Sequence, residues 1–188
     1  STSNYNVAVG YDAGGDLTTG TLNTFLGGNS GNAFTDADNN TAVGYSALGA
    51  DTLGSRGTAV GYGALGSQNF TTATNGYNVA VGSSAGTYVT TGINNTIVGG
   101  NAGDALTDAD YNTAVGMNAL TADTLGSRST ALGYYALGTQ NFTTATSSYN
   151  VAVGFQTGVY VTTGIKNTLV GAESGDAITT GDFNSAFG

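Results

Sequence analysis

The chain has no cysteine, histidine, tryptophan or proline among its 188 residues. Without cysteine there is no disulfide framework and no thiolate metal site. Without histidine or cysteine, no serine has a recognisable base and the usual nucleophile–base pairs of hydrolases are missing. Glycine is abundant, at 32 residues, but with no proline and no three-residue period the chain is not a collagen. Charge is scarce. Arg56, Arg128 and Lys166 are the only cations against twelve acids, for a net charge of −9. That balance lacks the basic footprint of nucleic-acid binding and the polybasic patch that holds an anionic membrane surface. No stretch approaches the length of a transmembrane helix, and no signal peptide is visible. Yet 39% of the residues are hydrophobic, more than a charge-rich disordered tract carries.

What is present is one short phrase, repeated. It reads NVAVG at Asn6, NTFLG at Asn23, NTAVG at Asn40, GTAVG at Gly57, and recurs in close variants to NSAFG at Asn184, eleven times in all. Successive starts are 17, 17, 17, 21, 17, 17, 17, 21, 17 and 17 residues apart. The chain is one continuous array, 1–188, with a 72-residue super-repeat at 6–77 and 78–149 and a partial third copy at 150–188. Such arrays make elongated scaffolds in which each repeat touches only its neighbours.

Counting each coil from its Asn as position zero, position three is always Val, Leu or Phe, and position one is Val, Thr or Ser. Both point to one side of a strand, position two to the other. Gly at position four closes the run. The pattern predicts an all-β fold: a parallel β-solenoid, or β-roll, of about eleven stacked 17-residue coils, spanning roughly 50 Å at the usual strand spacing. Each coil is expected to carry two short strands, with a small-residue column at position seven (Ala13, Ser30, Ala47 and onward). Position two is mostly Ala, but is Phe25, Ile97 and Leu169 in the coils where position five shrinks to Gly28, Gly100 and Ala172. This exchange of bulk predicts volume compensation between those two positions, with position three in the core and position two toward a neighbouring chain.

The phrase Asn-[Thr/Ser/Val]-Ala-[Val/Ile]-Gly, with a small residue two or three positions after the Gly, resembles the head repeats of YadA-like trimeric autotransporter adhesins and related phage tail-fibre repeats. The resemblance covers the whole chain, although the family repeat is shorter, and neither a coiled-coil stalk nor a membrane anchor accompanies it here. It implies a left-handed roll, three chains in one fibre, and an extracellular place on a cell surface or a virion tail.

Several residues stand out as candidate sites. The 21-residue coils carry inserted segments at Gln68–Thr74 and Gln140–Thr146, where Asn69, Phe70, Asn141 and Phe142 recur. They read either as bulges that bind a glycan or receptor or as plugs in which the phenylalanines fold back over the coil. Asp36, Asp38, Asp108 and Asp110 are spaced to share a hard cation such as Ca²⁺, or to satisfy their own turns. No other cofactor is indicated. Asp51 with Arg56, and Asp123 with Arg128, read as surface ion pairs. Tyr11, Tyr45, Tyr62 and Tyr134 form a column suited to stacking, on sugars or on one another.

The expected function is a structural or adhesive fibre segment without enzymatic activity, a homotrimeric rod that continues beyond this segment or stacks end to end into a filament. A carbohydrate-binding module using residues 68–74 and 140–146 is the alternative. A glycan-degrading tailspike is a further one, since paired carboxylates can serve a glycosidase.

Overall fold

A computed structural model describes residues 4–188. The described chain is all β-strand and turn, and it contains no helix long and apolar enough to cross a membrane. Each phrase forms a three-residue strand, from Val7–Val9 to Ser185–Phe187. The eleven strands make one parallel sheet in chain order. Register is position on position: Val7 lies beside Thr24 and Ala8 beside Phe25, and so on to Val170 beside Phe187. The 21-residue coils keep this register, with Thr58 beside Val79, so the four extra residues are absorbed elsewhere in the coil. The result is a parallel β-solenoid of about eleven turns.

The strands are short because the corner after them admits only glycine. At position four φ lies between 124° and 140°, a region closed to residues with a Cβ. A Cβ at Gly10 would stand 2.5 Å from the carbonyl oxygen of Gly27, one coil on. The stack therefore needs glycine there for two reasons, torsion and the close approach of backbones.

A second expected strand forms only where the 21-residue coils lie. Gly54–Ser55 pairs with Thr74–Asn75, and Gly126–Ser127 with Thr146–Ser147. Elsewhere the return path is a run of turns, still hydrogen-bonded from coil to coil, as in Thr18 N to Thr35 O at 2.9 Å.

The inward side of the sheet is the opposite of the one expected. Position two points into the coil: Phe25, Ala42, Ala59, Ala80, Ile97 and Leu169 are all fully buried. Positions one and three point out, and Leu26 and Leu132 are 48% and 44% exposed. The interior is narrow, because the small residues of position seven and those of position eight fill it from the opposite wall. Only alanine fits at position two where position eight is Leu48, Leu65, Leu120 or Leu137.

The volume compensation is real but its partner is position eight. One large side chain serves two glycine coils. A Cβ at Gly14 would lie 2.7 Å from Phe25 Cδ2, and one at Gly31 would lie 2.5 Å from its Cε1. Ile97 stands in the same way over Gly86, and Leu169 over Gly158 and Gly175. Phe25 also stacks on Phe34 at 5.6 Å between ring centroids. Position five plays no part inside the coil; a Cβ at Gly100 would meet nothing within 4 Å.

Candidate functional site

The inward asparagines form a ladder up the solenoid. The Oδ1 of Asn23 accepts the backbone N–H of Asn40 at 2.9 Å, while its Nδ2 donates to the Ala37 carbonyl at 2.7 Å. Asn95 and Asn167 repeat the arrangement. Each side chain thus ties one coil to the next and to the corner that precedes it. The ladder is interrupted where position zero is Gly57 or Ser129.

The inserted segments repair those interruptions. Gln68 reaches inward, accepts from Asn78 Nδ2 at 2.8 Å on Oε1, and donates from Nε2 to Asp51 Oδ2 at 2.6 Å. Asp51 Oδ1 accepts the N–H groups of Gly54 and Phe70, each at 3.0 Å. Asp123, Gln140 and Asn150 form the same chain one super-repeat later, with Ser129 Oγ accepting from Gln140 at 2.8 Å. Burial pushes both aspartate carboxyls above their ordinary value, against the pull of the amides that bond them. Every buried side-chain polar atom among the described residues has a partner.

This geometry decides between the two readings of the inserts and corrects the expected Asp–Arg pairs. Phe70 and Phe142 are 4% and 6% exposed, so the insertions are plugs and their rings are closed to a ligand. The oxygens of Asn69 and Asn141 accept from Thr52 and Thr124, each at 3.1 Å. The tips, Thr71 to Ala73 and Thr143 to Ala145, stay exposed, as does Asn141. Nor is Asp51 a partner of Arg56: the carboxylate is interior, whereas the Arg56 Nε donates to Asn75 Oδ1 at 3.0 Å on the surface.

The acidic pairs bond the corner of the preceding coil rather than their own turns. Asp36 accepts from Thr19 Oγ1 at 2.6 Å and Asp108 from Thr91 Oγ1 at 2.7 Å. Asp38 accepts from the Thr21 N–H at 2.7 Å and Asp110 from the Ile93 N–H at 2.8 Å. Among the described residues no group of three His, Cys, Asp or Glu is close enough to hold a metal ion, and no pocket is present.

The outer side of the sheet is the distinctive surface. Apart from Tyr88 and Tyr160, every exposed large apolar side chain among the described residues falls at positions one, three and five or just before position zero. The Val and Leu column runs the length of the sheet, beside an aromatic column in which Tyr45 stacks on Tyr62 at 5.8 Å and Tyr134 on Phe155 at 5.4 Å.

The column before position zero was not singled out by the sequence reading, although its signal is legible there. It holds all three cations of the chain. Arg56 lies 5.6 Å from the centre of the Tyr77 ring; Arg128 lies between Tyr111 and Tyr149, at 5.2 and 5.8 Å; Lys166 is 4.8 Å from Phe183. Every described residue in this column has φ between 51° and 65°, the left-handed region that favours Gly, Asn and Asp. The other polar left-handed corner of the coil uses such residues at Asp12, Asn29, Gly63, Asn101 and Asn118, and Ser, Tyr, Gln or Glu in the remaining coils. Here the chain mostly holds Tyr, Arg, Lys and Phe instead. A side chain in this region costs about 1–2 kcal/mol, whereas an exposed cation–π contact returns about 0.5–1 kcal/mol.

No family model, curated protein or solved structure matches this chain.

Proposed function

We propose that this chain is a segment of an extracellular structural or adhesive fibre in which three copies pack side by side into a stiff rod. The observation that supports it is the outward face of the sheet, whose Val and Leu column at position three runs over the strands without a charged interruption, flanked at position five by Tyr11, Tyr45, Tyr62, Met117, Tyr134 and Phe155. Exposed apolar side chains aligned in one continuous column mark a surface of association. A partner that covers it must share its rise of about 4.8 Å per coil, and another copy of the same solenoid does. The resemblance to trimeric adhesin and tail-fibre repeats favours three copies over two, and with it a place outside a cell or on a virion. The rod's task is mechanical: to hold binding elements at a distance and repeat weak sites for avidity.

Sedimentation equilibrium of the segment tests this directly. A trimer is expected, and Val98→Glu with Leu132→Glu is expected to dissociate it while the β-rich circular dichroism spectrum persists. A stable native monomer at micromolar concentration rules the rod out.

A further inference from the structure

We propose that the two margins of the outward sheet face meet each other in neighbouring copies of this chain, the column before position zero of one copy packing coil for coil against positions five and six of the next. This rests on the side-by-side rod proposed above and names its seam. Copies related by rotation about an axis parallel to the solenoid, with their sheet faces turned toward that axis, run their strands round it in one sense. The contact is then head to tail, between two different surfaces of the chain. The margin that enters each strand faces the margin that leaves it, and equal coils stand at equal height.

The chemistry of the two margins is complementary. The leaving margin carries exposed Tyr, Met and Phe at position five. This bulk is not set by packing inside the coil, since a Cβ at Gly100 would meet nothing within 4 Å. The entering margin holds all three cations of the chain, whereas positions five and six hold none. In the coils of Arg56 and Arg128, position five is Tyr62 and Tyr134, rings that attract a cation. In the coil of Lys166, position six is Glu173, and both side chains are exposed. Position five there is the small Ala172, so the ammonium of one copy reaches the carboxylate of the next. Asp38, Asp110 and Asp182 also border the entering margin. Each accepts a backbone N–H of the preceding coil, at 2.7, 2.8 and 2.8 Å, and so is turned back on its own chain. Another copy of this chain, with its steps of 17 and 21 residues in the same order, keeps these partners aligned along the whole length.

The chain has no cysteine, so introduced cysteines report the seam directly. Asn94 and Gly100 lie on opposite margins of the strand Thr96–Val98, with about 10 Å of extended backbone between them, too far apart for a disulfide within one chain. After mild oxidation, Asn94→Cys/Gly100→Cys is expected to give covalent dimers and trimers on a denaturing gel, and each single variant none. Lys166→Glu and Glu173→Lys are each expected to weaken association at least tenfold at low salt, and their combination to restore it, with the circular dichroism spectrum of all variants unchanged. Two results overturn the seam and leave the rod standing: disulfide dimers from a single-cysteine variant, or a segment that sediments as a trimer yet gives no covalent species with both cysteines and no rescue on double charge reversal. A native segment that sediments as a monomer overturns the rod itself, and the seam with it.

Discussion

Gln68 Oε1 accepts a hydrogen bond from Asn78 Nδ2 at 2.8 Å, and so stands in for the asparagine that Gly57 replaces. The same amide passes the interaction on to Asp51 Oδ2, linking three successive coils through one buried chain. Removing the amide leaves a buried carboxylate oxygen without its partner, at a cost of about 1–3 kcal/mol. Gln68→Ala with Gln140→Ala is expected to lower the urea midpoint by an amount consistent with two such losses. An unchanged midpoint would show that water replaces the amide and that the inserts are not structural plugs.

Protonation of Asp51 and Asp123 is linked to stability with a definite sign. Burial raises both carboxyls in the folded chain, so the fold binds these protons more tightly than the unfolded chain. Their contribution is fully present below the ordinary aspartate value and is lost as pH rises through the raised one. The melting temperature of Asp51→Asn/Asp123→Asn should therefore fall less steeply above pH 4 than that of the native segment. Parallel profiles would contradict the assignment.

The pairing of Phe25 with Gly31 predicts a coupled double mutant. Gly31→Leu alone overpacks the coil against the ring, costing about 1–3 kcal/mol; Phe25→Ala alone empties it, costing about 3–5 kcal/mol. Together they reproduce the Ala42 and Leu48 arrangement of the next coil, where Leu48 already has φ of 48°. The double variant is expected to lose clearly less than the sum, measured as an interaction term in chemical denaturation. Additivity would mean that the two positions do not share space.

Gly61→Ala probes the corner itself. The added Cβ overlaps the Gly82 carbonyl, which is backbone and cannot turn away. Left-handed strain adds to the clash. Amide hydrogen exchange should show protection lost first at the strands Thr58–Val60 and Val79–Val81, with distant coils less affected, as expected of a solenoid whose repeats touch only their neighbours. Uniform loss along the chain would show a single cooperative unit instead.

Coil length, register and corner positions are determined by the sequence alone. A phrase that recurs every 17 or 21 residues pairs with itself, and glycine at position four is required by torsion in every coil and by backbone approach from Gly10 to Gly171. The side of the strand that turns inward was decided only by the tertiary structure. Positions two and three are both apolar, and alternation alone separates two faces without saying which one is buried. The coil is so narrow that its opposite wall, with Leu48 or Leu65 at position eight, is matched by alanine at position two. Phe25 is admitted because Gly14 and Gly31 withdraw from it. The same geometry sends Val, Leu and Tyr outward and draws Phe70 and Phe142 in. Any partner therefore meets the sheet face and its cation-bearing margin, with the inserts serving as plugs.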